Sequence, residues 1–251
     1  NAKLVLRIQV DDSKSRCKFN CKFGVKLDEV KDLLLQAKFM DLNIMGVSFH
    51  VGSGCEEPSV FKSAIQNCRQ VYDMALELGF NLSLVDIGGG FPGDNDDNFL
   101  EMAKIINSSI DEYFKETTVK FIAEPGRFFI TSAFTLVASV INKKINKNPD
   151  NPDDKHIIYY LSDGVYGSFN NIIFDHATVE ILPFNERNEK TYDCIVYGLS
   201  CDSFDKIASN CKLPDLSIGE VVYCLNMGAY TIASASSFNG FAPPECKYII
   251  N

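Results

Sequence analysis

The sequence carries little positive charge for its size. Its 24 Lys and Arg residues are outnumbered by 33 Asp and Glu residues, which gives a formal net charge of −9 at pH 7. An acidic chain is not expected to bind nucleic acid or an anionic membrane surface. Apolar runs of the ~20 residues needed to span a bilayer are missing, and no signal peptide opens the chain. We therefore expect a cytoplasmic protein with no membrane or nucleic-acid partner.

Paired cysteine motifs are absent as well. None of the nine cysteines belongs to a Cys-x-x-Cys pair, and several fall within apolar segments. This usage predicts reduced thiols in a cytosolic protein rather than disulfides or a zinc site, so no metal is expected. A starting methionine is also absent, because Asn1 leads almost directly into an apolar segment. We expect the chain to be a fragment.

Strands and helices alternate in the first half of the sequence. With 251 residues, 46% of them hydrophobic, the chain can hold one large domain or two ordinary ones. Apolar patterns predict strands at 3–10, 43–51, 82–87 and 119–123 and helices at 28–40, 58–79 and 99–114. Alternating βα units imply a parallel sheet that binds ligands at the carboxyl ends of its strands.

The second half of the sequence is different in character. Short segments rich in β-branched and aromatic residues lie at 134–143, 155–161, 177–182, 193–197, 220–225 and 246–250, and no long helix intervenes. The polar segment 146–154 is predicted to be a surface loop. We therefore predict an α/β domain over residues 1–134 and a mostly antiparallel β domain over residues 135–251.

Three clusters at the predicted strand ends suggest chemistry. Gly88–Gly90 end one strand, and without a Cβ they can turn sharply and present bare N–H groups to a phosphate. His50 ends a second strand, where its flat ring suits stacking on an aromatic ligand. Glu124 and Arg127 follow a third, and this pair suits a ligand with one basic nitrogen and one phosphate. The plain alternatives are a tight turn, a hydrogen-bonded structural histidine and a surface ion pair.

Two loops of the second half carry further candidates. Cys201 and Asp202 lie within the loop 198–203, and Asp175 precedes His176 in another loop. A lone cysteine is usually inert packing and a loop aspartate is usually solvated. Each of these signals is weak alone.

Seven motifs together, in this order along the chain, resemble the eukaryotic ornithine decarboxylases of the pyridoxal-phosphate group IV decarboxylase family. They are His-Val-Gly-Ser-Gly-Cys (50–55), Asp-Ile-Gly-Gly-Gly-Phe-Pro-Gly (86–93), Ala-Glu-Pro-Gly-Arg (123–127), Asp-Gly-Val-Tyr-Gly-Ser-Phe (163–169), Phe-Asp-His-Ala (174–177), Cys-Asp (201–202) and Asn-Met-Gly-Ala-Tyr-Thr (226–231). The resemblance runs from end to end.

The resemblance implies a fold, a cofactor and partners. That family has a TIM-like (β/α)8 barrel followed by a β domain, uses pyridoxal 5'-phosphate, and acts as a homodimer with shared active sites. This chain then carries only the second half of the barrel, four of its eight strands. The implied reaction is the decarboxylation of L-ornithine to putrescine, the first step of polyamine biosynthesis. An antizyme-type regulator is a further implied partner.

The matching residues take implied roles. His50 stacks on the pyridine ring, Glu124 pairs with the pyridine nitrogen, and Cys201 protonates the substrate at Cα from the opposite subunit. Further cofactor contacts are implied for Arg7, Ser53, Gly88, Gly89, Gly90, Gly126, Arg127 and Tyr230. Substrate contacts are implied for Phe174, Asp175, Asp202 and Phe238, and an ion pair across the dimer interface for Lys22 and Asp205.

The sequence departs from the family pattern in three places. The lysine to which the family attaches its cofactor, in a motif like Ala-Val-Lys-Cys-Asn, does not occur here. The loop Gly198-Leu199-Ser200-Cys201-Asp202-Ser203 replaces the usual Gly-Pro-Thr-Cys-Asp-Gly, and Phe174 stands where a tyrosine is common. These departures leave two alternatives open: a non-catalytic regulator resembling antizyme inhibitor, and a related decarboxylase acting on lysine, arginine or diaminopimelate. Diaminopimelate is disfavoured, since its enzymes follow the cysteine with Glu.

Overall fold

The computed structural model describes residues 2–148, 151–185 and 187–249. The chain divides into two compact units, residues 1–129 and 130–251, whereas the sequence predicted a boundary after residue 134. The first unit contains the strands β1 (Leu4–Arg7), β2 (Ser15–Cys17), β3 (Ile44–Ser48), β4 (Ser53–Cys55), β5 (Leu84–Asp86) and β6 (Lys120–Ile122). Its helices are α1 (Val30–Phe39), α2 (Val60–Glu77), α3 (Asp96–Phe114) and α4 (Gly126–Ile130), which ends at the first residue of the second unit.

Four strands of the first unit form a parallel sheet in the order β1-β3-β5-β6. Val47 on β3 pairs with Val85 on β5, and both side chains are fully buried. Strands buried on both faces are typical of parallel sheets covered by helices. The predicted parallel α/β arrangement, and with it part of a (β/α)8 barrel, is confirmed.

The helices of this unit bury one face each. On α2 the buried residues include Phe61, Ile65 and Cys68 at helical spacing, and Gly79 follows the helix with φ +84°, the left-handed conformation of a C-terminal glycine. On α3, Met102 is buried and Leu100 is 53% exposed. Within the described part of the chain, no helix combines the length and the apolarity that a membrane span requires.

A small two-stranded sheet in the first unit was not predicted. Strand β2 pairs antiparallel with β4, with Ser15 opposite Cys55 and Cys17 opposite Ser53. The Ser15 hydroxyl donates to the Val51 carbonyl at 2.5 Å. This pairing therefore fixes the segment that follows His50.

The second unit is built on one six-stranded sheet in the order β11-β10-β8-β7-β12-β9. Of its five strand pairings, only that between β8 and β10 is parallel, so the predicted mostly antiparallel β domain is confirmed. Its strands are β7 (Leu136–Asn148), β8 (Asn151–Leu161), β9 (Leu182–Pro183), β10 (Tyr192–Tyr197), β11 (Lys206–Leu213) and β12 (Val221–Cys224). One short helix, α5 (Asn171–Phe174), precedes β9.

Several predicted boundaries in the second unit were wrong. The segment 146–154 belongs largely to the long hairpin of β7 and β8 rather than to a loop, because cross-strand pairing extends to Asn148 and Asn151. Strand β11 was missed, since its polar residues alternate poorly. Only Leu182 of the predicted strand 177–182 is in a strand, and 246–249 form none, while Ile250 lies outside the described residues.

Ion pairs and hydrogen bonds fasten the segment after β11 to β7 and β8. The Asp215 carboxylate accepts from Lys143 Nζ at 2.8 Å and from Lys155 Nζ at 2.6 Å. The buried Tyr159 hydroxyl accepts from the Leu216 N–H at 2.9 Å. These contacts hold together residues far apart in the sequence.

Candidate active site

The first unit gathers its predicted site residues at one edge of the parallel sheet. Arg7 ends β1, His50 lies two residues after β3, Gly88–Gly90 follow β5, and Glu124 follows β6. Because the strands are parallel neighbours, their carboxyl ends share an edge. We call this group, with Ser53, Gly126 and Arg127, the strand-end cluster.

The neighbours of Gly88–Gly90, three of the four glycines in the strand-end cluster, leave no room for a side chain. Gly88 has φ +62° and Gly90 has φ +109°, both in the left-handed half of conformational space. A Cβ on Gly88 would collide with the Phe49 carbonyl oxygen, and one on Gly89 would lie 2.8 Å from His50 Nε2 and 2.9 Å from the Glu124 carbonyl oxygen. The bare backbone is therefore what allows this loop to pack between the ends of β3 and β6.

Hydrogen bonds fix the loop but leave two donors over. The Gly88 N–H donates to Asp86 Oδ1 at 2.9 Å, and the Gly88 carbonyl accepts from the Glu124 N–H at 2.8 Å. Among the described residues, the N–H groups of Gly89 and Gly90 have no protein acceptor, although Gly89 is buried. Adjacent N–H groups with no protein partner form a concavity that suits an anion.

The His50 ring is neutral and oriented. Its Nδ1 accepts the Gly52 N–H at 3.0 Å, so at neutral pH the ring proton lies on Nε2. Burial, and secondly the charge of Arg7, lowers the pKa of His50 to about 4. Phe19 packs its ring at 69° to the imidazole, with 4.9 Å between the centroids. A neutral imidazole held in this way suits stacking against a flat ligand.

Arg127 and Ser53, both predicted to contact the cofactor, lie together. Arg127 Nη2 donates to Ser53 Oγ at 2.9 Å, joining the start of α4 to β4. Arg127 also lines a polar cavity of about 280 Å³ with Arg16 and Asn98. Arg16 was not predicted, because nothing in the sequence distinguishes it from other exposed arginines. Gly126 faces open space, since no heavy atom of the described residues lies within 4 Å of the position that a Cβ would take there.

Arg7 and Lys22 both approach one aromatic ring. The Arg7 guanidinium lies 5.0 Å from the Phe23 centroid and Lys22 Nζ lies 5.2 Å from it. These are cation–π distances. The predicted role of Arg7 beside the cofactor and that of Lys22 at an interface stay predictions.

The second unit brings together Cys201, Asp202 and Phe238 with two residues that were not predicted. The Tyr166 hydroxyl donates to Asp202 Oδ2, and the Tyr166 ring stacks on Phe238 with 4.3 Å between the centroids. Hydrogen bonds from the Phe204 N–H and then from Tyr166 lower the pKa of Asp202. Asn239 Oδ1 accepts hydrogen bonds from the Cys201 N–H and from the Cys201 thiol. We call Cys201, Asp202, Phe238, Tyr166 and Asn239 the loop cluster.

Sequence reasoning passed over Tyr166 and Asn239 for different reasons. Tyr166 lies inside the motif 163–169, for whose tyrosine the family resemblance implies no role. Asn239 follows Phe238 directly and precedes a glycine, a pair typical of a tight turn. The turn was the available signal, but it did not show which side chain the asparagine faces.

Asp205 lies inside the second unit rather than on its surface. It is 1% exposed, and its carboxylate accepts from the Val165 N–H at 2.8 Å and from the Ser200 N–H at 3.0 Å. It also packs against Gly164 and Gly198, where a Cβ would collide with it. Asp205 therefore shapes the loop that carries Cys201, and its predicted ion pair with Lys22 stays a prediction.

The remaining predicted residues lie apart from the loop cluster along the sequence. Phe174 ends α5 and is 65% exposed, and Asp175 follows it with 5% exposure. Tyr230 is 53% exposed with φ +58°, in a loop that Thr231 fastens by donating to the Met227 carbonyl at 2.8 Å. Their predicted roles stay predictions.

Burial distinguishes most cysteines of the second unit from Cys201. Burial raises the pKa of Cys224 and of Cys211 to about 12, so both thiols are inert as acids at neutral pH. Cys201, in contrast, is exposed. Its thiol lies 3.3 Å from Asn239 Oδ1.

Known proteins that are similar to this chain include decarboxylases and an antizyme inhibitor. A family model described as pyridoxal-dependent decarboxylase, pyridoxal binding domain, matches residues 1–131. Ornithine decarboxylase of Mus musculus is 45% identical over 263 residues, covering 100% of this chain and 57% of that protein. Antizyme inhibitor 2 of Xenopus laevis is 44% identical over 258 residues, covering 99% of this chain and 57% of that protein.

A solved structure is also similar. The Paramecium bursaria Chlorella virus arginine decarboxylase bound to agmatine is 35% identical, with a TM-score of 0.89, and the match covers 96% of this chain and 65% of that one. The chain thus spans a little over half the length of the curated relatives that it matches, 57% for the first two above.

Proposed function

Because this chain belongs to the pyridoxal-dependent decarboxylase family, we propose that it forms part of an enzyme that decarboxylates L-ornithine to putrescine. Pyridoxal phosphate is the cofactor of this family. The observation that carries the proposal is the strand-end cluster, in which backbone N–H donors, a guanidinium, a neutral imidazole and a carboxylate end neighbouring strands.

The strand-end cluster fits this cofactor group by group. The N–H groups of Gly89 and Gly90, together with Arg127 and Ser53, supply donors for its phosphate. The neutral ring of His50 supplies a flat face for its pyridine, and we assign to Glu124 the pairing with the pyridine nitrogen. When bound, the cofactor provides an electron sink for the charge left when CO₂ departs. The Gly89 and Gly90 donors belong to the backbone, and the Arg127 guanidinium is held by Ser53, so little ordering is needed on binding.

The loop cluster supplies the proton and recognises the substrate. Cys201 Sγ holds the proton that the substrate Cα takes up, and the thiol regains one from solvent. The Asp202 carboxylate attracts the distal ammonium of a diamino acid, with Tyr166 fixing one of its oxygens. We propose that this loop serves the strand-end cluster of a second copy in a homodimer, which light scattering on the full-length protein tests.

Ornithine is proposed rather than arginine or lysine because ornithine decarboxylase of Mus musculus is 45% identical to this chain, whereas the viral arginine decarboxylase is 35% identical. The Asp202 carboxylate suits an ammonium group, which ornithine and lysine both carry. Lysine differs from ornithine by one methylene, worth only ~1–3 kcal/mol in a pocket. CO₂ release by the full-length protein with cofactor and each of the three amino acids distinguishes them. A higher kcat/KM on arginine or lysine than on ornithine would contradict this assignment.

Substitution of Cys201 tests the proposed proton donor. We expect Cys201→Ala to keep cofactor binding but to lower the diamine share of the products, because the Cα proton is then delivered without a positioned donor. The control is Cys246→Ala, which removes another exposed thiol and should leave the product ratio unchanged. Equal product ratios in both variants would remove Cys201 from this role.

A non-catalytic regulator is the second candidate function. It is favoured by the similarity to antizyme inhibitor 2 of Xenopus laevis over 99% of the chain. The regulator predicts no CO₂ release at saturating cofactor from any of the three amino acids. Turnover on any one of them would exclude it.

A further inference from the structure

We propose that Asn239 is a positioning residue for Cys201, holding its backbone and its thiol proton through a single amide oxygen. The inference rests on the proposed function, because it matters for catalysis only if Cys201 donates the proton. It adds to that function a residue for which the sequence motifs gave no role.

The geometry is a two-donor clamp. Asn239 Oδ1 lies 3.3 Å from the Cys201 backbone nitrogen and 3.3 Å from Cys201 Sγ. A backbone N–H can only donate, so the amide must turn its oxygen, not its nitrogen, toward Cys201. The thiol is then left to donate to the same oxygen. One side chain thus restrains both the backbone and the side chain of the cysteine.

Asn239 reaches this position through an uncommon backbone conformation. Its φ is +57°, and the following Gly240 has φ +77°. Asparagine and glycine enter the left-handed region at lower cost than other residues. The sequence Phe-Asn-Gly at 238–240 therefore supplies both the turn and the amide, a combination that alanine or leucine cannot provide.

The turn is anchored independently of Cys201. The Ser236 N–H donates to the Tyr166 carbonyl at 2.9 Å, and Phe238 stacks on the Tyr166 ring. Tyr166 in turn donates to Asp202, the neighbour of Cys201. The contacts run from Cys201 to Asn239, Phe238, Tyr166 and Asp202 and so return to Cys201. Asn239 is therefore held near the cysteine by its contacts with the rest of this closed path.

This closed path matters because Cys201 is exposed and its own loop lacks the usual proline and glycine. The loop backbone alone leaves the thiol free to rotate between staggered positions. An acceptor on the thiol proton selects one of them. Asn239 therefore holds the thiol in one orientation for the transfer of its proton.

Alkylation of Cys201 by iodoacetamide tests the clamp without relying on turnover. In the full-length protein, with the Cys201 peptide followed by mass spectrometry, Asn239→Gly removes the acceptor and keeps the left-handed backbone. We expect alkylation about two- to fivefold faster, the effect of losing one weak hydrogen bond. Asn239→Asp keeps an acceptor and adds negative charge, so it should react no faster than the parent protein.

The order of rates distinguishes a clamp from a general loosening of the loop. Asn226→Gly is the matched control, because Asn226 also has a positive φ, +59°, but is no part of the loop cluster; its rate should equal that of the parent. Parental rates in Asn239→Gly, or equally fast reaction in Asn239→Gly and Asn239→Asp, would overturn the proposal. If the rates follow the expected order while Cys201→Ala leaves the product ratio unchanged, the clamp stands and the proton-donor role fails.

Discussion

Substituting Gly89 by alanine tests whether the strand-end cluster depends on bare backbone. The added Cβ would lie 2.8 Å from His50 Nε2 and 2.9 Å from the Glu124 carbonyl oxygen. Neither neighbour can move freely. The imidazole is held by the Gly52 N–H, and the Glu124 backbone is held by its own bond to the Gly88 carbonyl.

The cost follows from these contacts. Adding one methyl group to a packed site costs ~1–3 kcal/mol, and with two rigid neighbours we expect a loss of about 2 kcal/mol in the free energy of unfolding. This loss lowers the Tm of a chain of 150–250 residues by about 4–8 °C and that of a longer chain by less, so we expect a fall of a few degrees in the full-length protein. Displacement of His50 and of the Gly89 N–H should also weaken pyridoxal phosphate binding by about tenfold, equivalent to ~1.4 kcal/mol.

Two measurements on the full-length protein give these values. Circular dichroism follows thermal unfolding, and the absorbance of added cofactor gives the affinity. Gly126→Ala is the matched control for stability, because a Cβ there meets no described atom within 4 Å. Its free energy of unfolding should change by no more than the ~0.5 kcal/mol usual for surface substitutions, so its Tm should stay close to that of the parent. Equal Tm values for Gly89→Ala and Gly126→Ala would refute the steric argument.

Two further predictions concern pH. The pKa of His50 is lowered to about 4, so between pH 6.5 and 4 the unfolded state binds a proton more readily than the folded state. The free energy of unfolding therefore falls as the pH falls, by on the order of 3 kcal/mol. Denaturant unfolding at pH 7 and 4.5 should show a smaller fall in His50→Gln, and an equal fall would contradict the assignment. Hydrogen bonds from Lys143 and then Lys155 lower the pKa of Asp215. Asp215→Asn should therefore reduce the free energy of unfolding by about 1 kcal/mol at pH 7, allowing for solvent screening. The difference between variant and parent should disappear as the pH falls through that lowered pKa. Asp193→Asn, in a more exposed pair, should cost less at pH 7; an equal cost would refute the network argument.

The parallel sheet could be predicted because its signal is strong and local. Apolar runs such as 82–87 end at glycine or polar residues and alternate with periodic helices, and this combination has few other solutions. Strand β11 and the long β7–β8 hairpin could not be predicted in the same way. Polar residues such as Lys147 and Lys212 are held in strands by cross-strand pairing, a contact between distant residues that no local pattern shows.

The residues of the candidate site also differ in whether a local sequence pattern reveals them. The glycine loop, His50 and Arg127 are recognisable because each occupies a strand end or a dense motif. The burial of Asp205 and the role of Asn239 were not, since both depend on loops that meet only in the folded unit. Loop–loop contacts are set by the whole structure, and the sequence around each loop looks like ordinary turn chemistry.

The two clusters also differ in what a substitution would cost, and this difference bears on the choice between enzyme and regulator. The strand-end cluster is packed among buried backbone, so changing Gly88 or Gly89 lowers stability as well as binding. The loop cluster is held at the surface by a few hydrogen bonds and one stacked pair, so its chemistry can be removed while the fold remains. Substitutions that turn such an enzyme into a non-catalytic regulator therefore destabilise the fold least when they fall in the loop cluster. In this chain Cys201, Asp202 and their partners are all present and in contact, which favours the enzyme.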